Sequence, residues 1–248
     1  MKNRYFFFSL ILFFSCTTNK NPYARITDLK AKGLIQQTIA AYGGLENWQS
    51  IEKLSFSKWY ALYDAEGKEE VSVNQQHDYS PSRIYMSWKD GADLVEQTKT
   101  GALFQRKRNG NIDTTAKPQA VTNSTLAATF VMNFPYNLLD HGTTISYIGK
   151  EIFLDRSVHV LKVEYHPETQ EHHTTKDIWW HYIDAESLLG LGYKVKHLDH
   201  ISLVKNLSFH SVQGFTLPGE RVSYRVDANG DELFLRAKYV YDGYELEL

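Results

Sequence analysis

The sequence contains a single cysteine, Cys16, in 248 residues. One thiol cannot form an internal disulfide, and it cannot supply a cysteine-rich zinc site. Excess charge of either sign is also missing: 27 basic residues against 29 acidic ones leave a net charge of −2. No strong field therefore steers the chain toward nucleic acid. Beyond residue 15 there is no apolar run long enough to span a bilayer, and no linker, repeat or low-complexity tract divides the chain after residue 26, which favours one domain. The common catalytic signatures are lacking too. There is no Gly-x-Ser-x-Gly elbow, phosphate loop or dinucleotide fingerprint, and Gly190-Leu191-Gly192 reads as a bend or bulge in a strand. These absences point away from an enzyme and call for no cofactor and no metal.

What the chain does have begins at its N-terminus. Lys2 and Arg4 precede Tyr5 to Ser15, an almost unbroken apolar run. Eleven residues are too few to cross about 30 Å of hydrocarbon as a helix. A basic start, a short apolar stretch and a small residue before a cut describe a signal peptide. Phe13-Phe14-Ser15-Cys16 resembles a lipoprotein signal box, with Phe13 in place of the usual Leu. That resemblance implies that Cys16 receives a diacylglycerol and becomes the new N-terminus; a plain secretory signal and a retained apolar anchor are the alternatives. The expected organisation is a signal at 1–15, a polar tether at 16–26 and one β domain at 27–248. No acidic residue follows Cys16 until Asp28, which favours a membrane-anchored protein facing the periplasm.

In the mature part, Thr27 or Asp28 can cap a helix running to about Tyr42, which Gly43-Gly44 then ends. From Glu52 the period changes from 3.6 to 2. Leu54, Phe56, Lys58, Tyr60 and Leu62 share one phase of a strand. Strand-like runs follow at 68–78, 83–89, 93–99 and 102–108, punctuated by Asp90-Gly91 and Asn109-Gly110. Residues 118–142 break the rhythm, with a helix expected to start at Asn123 or Ser124 and to be interrupted by Pro135. Strands resume at about 143–153, 157–166, 175–183, 188–197, 201–212, 217–227 and 232–243. The fold class is mainly β: a curled antiparallel sheet, an incomplete barrel, with an N-terminal helix and a central helical lid. A sheet of this size must hide its apolar face.

The order of signal, helix, strand meander, central helical insertion and second meander resembles the LolA/LolB-like lipoprotein-carrier superfamily. The local stretches that carry the resemblance are Ile39-Ala40-Ala41-Tyr42-Gly43-Gly44-Leu45-Glu46-Asn47-Trp48 and Phe134-Pro135-Tyr136-Asn137-Leu138-Leu139. It implies an incomplete β-barrel whose concave face, partly covered by helices, holds acyl chains.

The 16 Tyr, 13 Phe and 5 Trp suit a pleated surface and an apolar groove. Trp48, Phe56, Tyr60, Met86, Trp88, Phe104, Phe130, Met132 and Trp179 are the candidate ligand-lining residues. A filled core is the other reading of the same residues. His166, His172, His173 and His181, with Glu168 and Glu171, do not follow a zinc spacing; the tract from His166 to His173 reads as a polar hairpin tip. His197, Asp199 and His200 read as a loop. Arg106-Lys107-Arg108 is a solvated hairpin end or a contact for anionic headgroups. The expected partner is a lipid or other hydrophobic small molecule, with envelope proteins as a further possibility and the membrane reached through lipidated Cys16. An interaction lipoprotein with a filled core is the second reading, and a hydrolytic or metal-dependent enzyme the third.

Overall fold

A computed structural model describes residues 21–166 and 176–248. Cys16 with the signal segment, and Glu168, Glu171, His172 and His173, lie outside the described residues.

The first element is helix α1 (Leu29–Ala41). Asp28 starts it: Oδ1 accepts from the Lys30 and Ala31 amides at 2.9 and 3.0 Å. Its other oxygen accepts from the Tyr147 amide at 2.8 Å, so one carboxylate both caps the helix and ties it to a distant strand. The helix ends where the backbone turns left-handed at Gly43 (φ 115°). A Cβ there would lie 2.7 Å from the Phe215 ring, so the glycine serves both the turn and the packing. Helix α2 (Leu45–Gln49) follows.

Two meanders make up one sheet. The first is β1 (Lys53–Tyr63), β2 (Glu69–Ser80), β3 (Arg83–Asp90), β4 (Asp93–Thr100), β5 (Leu103–Arg108) and β6 (Asn111–Ile112). The chain then forms α3 (Pro118–Met132) and a 3-10 turn, Tyr136–Leu139. The second meander is β7 (Thr143–Phe153), β8 (Arg156–Tyr165), β9 (Ile178–Asp184), β10 (Gly190–Lys196) and β11 (Ile201–Asn206). A hairpin of β12 (Phe209–Val212) and β13 (Phe215–Pro218) interrupts it before β14 (Glu220–Val226) and β15 (Glu232–Glu247). The thirteen-stranded order is β6-β5-β4-β3-β2-β1-β15-β14-β11-β10-β9-β8-β7, and β12-β13 stands apart. All pairings are antiparallel, and the sheet does not close into a barrel.

This topology dictates where α3 lies. The chain leaves the sheet at one edge strand, β6, and re-enters at the opposite edge, β7. The segment between them has to span the sheet, and it does so on the concave side, where Gln97 of β4 bonds to Ser124 and Thr125 of α3.

Three details differ from the sequence expectation. Helix α3 begins at Pro118, with Lys117 as its N-cap, rather than at Asn123 or Ser124. Proline is well placed at a first helical position because its missing N–H is not needed there. Asn123 and Ser124 satisfy their side chains inside the helix, accepting from Gln119 Nε2 at 2.7 Å and donating to the Val121 carbonyl at 3.1 Å respectively. The 201–212 run is two strands, because Gln213 and Gly214 (φ 49° and 87°) fold the second half into the β12-β13 hairpin. The 217–227 run is likewise divided at Gly219 between that hairpin and β14.

The main core joins α1 to the inner side of β7–β10 through Leu34, Ile35, Ile39, Leu161, Val163, Trp179, Ile183 and Val195, with Phe130 and Leu138 from the central insertion. A second cluster gathers Leu54, Phe56, Met132, Phe215, Leu217 and Tyr241. A third, around Val158, Val160, Tyr182, Leu191 and Leu203, covers the outer side of the second meander.

Candidate functional site

Helices cover the concave face only in part, and α3 leaves a groove on each of its flanks. One part, about 350 Å³, lies against β1–β5, β10, β14 and β15 and is lined by Lys58, Tyr60, Met86, Trp88, Gln97 and Arg106, among others. The other, about 480 Å³, lies toward Trp179, Val195, His197, Ser202 and Arg225. The two adjoin, sharing Leu62, Ala127, Val131, Tyr193 and Tyr239. Each falls within the range usual for small-molecule sites. A smaller space of about 40 Å³ sits deeper, bounded by Tyr42, Phe134, His181, Asn206 and Arg221.

Alternation on each strand decides what faces the groove. Cross-strand register puts Gln75 opposite Trp88, His77 opposite Met86, and Met86 opposite Gln97. Lys58 stands opposite Tyr241, Tyr60 opposite Tyr239, and Arg221 opposite Tyr239 on the far side of β15. Partners in register share a face, so these residues form one continuous inner surface.

Of the candidate lining residues, Tyr60, Met86, Trp88, Phe130 and Trp179 border the groove. Trp48 instead stacks on Tyr136 at 4.4 Å, Phe56 stacks on His77 at 4.6 Å, and Met132 is buried in the same cluster as Phe56. Phe104, half-buried on β5, has the Lys99 ammonium 5.9 Å from its ring.

The lid is fastened at both ends. Gln97 on β4 donates through Nε2 to Thr125 Oγ1 at 2.7 Å and Ser124 Oγ at 2.9 Å. Its Oε1 accepts from Arg106 Nε and Nη2 at 2.9 and 2.6 Å. At the other end Asn137 Nδ2 donates to the Phe130 carbonyl, and Tyr136 Oη to the Tyr42 carbonyl, both at 2.9 Å. The basic tract therefore divides: Arg106 enters the groove and lies 5.4 Å over Trp88, while Arg108 pairs with Asp90 and Asp93.

The groove contains charged groups that periodicity alone did not single out. Lys58 lies half-buried in the phase of Phe56 and Tyr60, its ammonium 5.1 Å from the Tyr60 ring and 5.5 and 5.9 Å from those of Tyr239 and Tyr241. Burial, then the nearby Arg221 charge, pull it down to about 8. Arg221, 5% exposed, donates through Nε to Asn206 Oδ1 at 2.8 Å and lies 5.5 Å over Tyr193. His181 is buried between the rings of Phe134 and Trp179, and burial holds its imidazole down at about 3. It is neutral at pH 7, and among the described residues its Nε2 has no hydrogen-bond partner. His77 is likewise pulled to about 3, by burial and then by Lys58.

Among the described residues no three His, Cys, Asp or Glu side chains come close enough to share a metal ion. His197 pairs with Asp177 at 2.9 Å and His200 with Asp199 at 2.6 Å at one rim of the groove. No described helix is long and apolar enough to cross a membrane.

No family model matches the sequence, and no curated protein does. The architecture has counterparts among solved structures. A DUF1329 family protein from Desulfovibrio piger matches with a TM-score of 0.52 at 8% identity over 90% of this chain and 95% of its own. A LolA superfamily protein from Nitrosomonas europaea matches with a TM-score of 0.53 at 9% identity, covering 88% of this chain and 93% of that one. A putative outer membrane lipoprotein-sorting protein domain from Vibrio parahaemolyticus matches with a TM-score of 0.53 at 7% identity over 88% and 92%. The chain therefore has a LolA-like fold, the expectation drawn from the order of its elements. Identities this low establish the fold and not the activity.

Proposed function

We propose that this chain is a cell-envelope lipoprotein, anchored through a lipidated Cys16 and facing the periplasm, that binds a lipid or acyl chain beneath α3. The observation that carries this reading is the pair of adjoining spaces, about 350 and 480 Å³, between α3 and a sheet that stays open. Their walls include Met86, Trp88, Phe130, Val131, Trp179 and Val195, which offer apolar surface to a chain. Each Å² of apolar surface removed from water contributes about 25 cal/mol. The likeness to a LolA superfamily protein and to a lipoprotein-sorting domain supports the reading. Reversible burial needs no covalent chemistry.

The test is native mass spectrometry on protein extracted from its own membrane, repeated after denaturation. The expected result is an intact mass with a diacylglycerol on Cys16 and a second lipid that leaves on denaturation. A lipidated chain that carries nothing, and that melts at the same temperature with and without added palmitate, would refute the binding reading and favour an interaction lipoprotein.

A further inference from the structure

We propose that the groove selects an amphiphile with an anionic head, a carboxylate or a phosphate, which seats on Lys58 and Arg221 while its chain lies under α3. The inference deepens the lipid-binding reading and rests on it. It starts from charge. Lys58, Arg106 and Arg221 all border the same part of the groove, and among the described residues no acidic side chain lines it. The chain as a whole has slightly more acids than bases, so a shortage of carboxylates does not explain this. Elsewhere the acids are used as partners: Asp184 for Arg156, Glu232 for Lys205, Glu70 for Arg236, Asp90 and Asp93 for Arg108. Among the described residues no ion pair reaches Lys58, Arg106 or Arg221.

Among the described residues the three cations meet neutral groups and one another, and no anion. The Lys58 ammonium lies near tyrosine rings and makes no hydrogen bond among the described residues. The Arg106 fork is taken up by the Gln97 amide oxygen. Arg221 is met by Asn206 and by the hydroxyls of Tyr193 and Tyr241. A desolvated cation without a counter-charge is costly to keep in a fold. Register places Lys58 and Arg221 on the two strands that flank β15, opposite Tyr241 and Tyr239. Both charges therefore face one region of the concave surface, and that region has room for a head group. Beyond it the groove continues past Val131 and Ala127 to Phe130, Trp179, Val195 and Val204, which give a tail one apolar side in a space whose other side carries Asp177, His197, His200, Arg225 and Arg236. Cations without an acidic partner beside Trp88, and the apolar side formed by Val131, Phe130, Trp179 and Val195, complement an anionic amphiphile better than a neutral one.

The experiment measures the binding of four probes to the delipidated mature chain at pH 7.5 by competition against a fluorescent acyl probe. The probes are hexadecanoate, hexadecyl phosphate, hexadecanol and inorganic phosphate. Hexadecanoate or hexadecyl phosphate is expected to bind at least tenfold more tightly than hexadecanol, and inorganic phosphate not to compete. Lys58→Met is expected to bring the ratio of anionic to neutral affinity within about threefold, and Lys58→Gln to do the same. Circular dichroism on both variants keeps a folding defect apart from a binding one. Equal affinity for hexadecanol and the anionic lipids overturns the charge selection and leaves the lipid-binding reading in place. Competition by inorganic phosphate as strong as that by hexadecyl phosphate overturns the lipid head as the source of the anion. Binding of none of the probes overturns both readings.

Discussion

Replacing Lys58 by Met should make the ligand-free protein more stable at neutral pH. The ammonium is carried on the inner phase of β1, feels the charge of Arg221 on β14, shares the groove with Arg106 on β5, and otherwise meets the rings of Tyr60, Tyr239 and Tyr241, with His77 near enough to feel its charge. The tyrosines and His77 are uncharged at pH 7, His77 because its own value lies near 3. Burial, with Arg221 second, lowers Lys58 from 10.5 to about 8. A displacement of that size corresponds to about 3 kcal/mol at ~1.4 kcal/mol per unit if the ammonium were sealed from water. The groove admits water to a half-buried side chain, so screening reduces the cost to about 1–2 kcal/mol. Methionine keeps the stem's packing and removes the charge. For a chain of this size the melting temperature should then rise by roughly 3–6 °C. The folded protein binds this proton less tightly than the unfolded chain does, so the cost is present in full below about pH 8. It fades as pH rises toward 10.5, where both states are neutral. Calorimetry of the two proteins at pH 7 and pH 10 reads the effect as a difference that shrinks at the higher pH. A variant that melts at or below the parent at pH 7, or whose advantage is the same at both pH values, refutes the reasoning.

Two further outcomes follow from contacts that join distant parts of the chain. Asp28→Ala removes the cap of α1 and leaves the Tyr147 amide without its acceptor, so urea unfolding should show a loss of about 1–2 kcal/mol. Because those bonds, Tyr147 first, hold the Asp28 carboxyl below its usual 3.8, the difference from the parent should be complete above about pH 4. It should vanish as pH falls through the folded value; a difference that persists in acid would contradict this. Gln97→Leu cuts the tie between β4 and the N-terminal half of α3, at a cost of about 2 kcal/mol. Amide exchange in α3 should accelerate relative to β8 and β9, and unchanged protection of the helix would show that the tie does not hold the lid.

What the sequence made legible is explained by the residues themselves. Period-2 alternation of Leu54, Phe56, Tyr60 and Leu62 announced β1, and the Gly43-Gly44 pair ended α1 as glycine's left-handed freedom requires. The groove charges were visible only as an anomaly: Lys58 occupies the apolar phase of its strand, and Arg221 and Arg225 share a phase with buried Ser223. A lysine in that position can as well be a snorkelling side chain, and only the register with β15, fixed by residues some 180 positions later, shows what it faces. The start of α3 was misplaced because Asn and Ser are common caps, whereas Pro118 opens the helix through a backbone preference that leaves no periodic trace. The β12-β13 hairpin was missed because Gln213-Gly214 is a weaker turn signal than Asn-Gly, and because strands before and after it continue the same alternation. Trp48, Phe56 and Met132 carry the same residue chemistry as the groove's lining, so periodicity has no means of separating core from cavity.

The connectivity accounts for why a cavity is present in a sheet this large. Thirteen antiparallel strands have enough curvature to close on themselves, and closure of β6 onto β7 would leave an interior for side chains to fill. Here those two edge strands are consecutive in the sequence of the sheet's strands yet are joined by a helix that cannot pass outside without exposing Phe130, Leu126 and Val121. The apolar side of α3 is buried through Val121, Leu126 and Phe130, and Ala127, Ala128 and Val131 border the groove over the sheet. These are small or short side chains, and they stand opposite large ones, Trp88, Tyr193 and Tyr239, that line the far wall without reaching across. A bulky residue at Ala127 would fill the junction shared by both parts of the groove. The position where the helix is thinnest is thus the position where the two parts communicate.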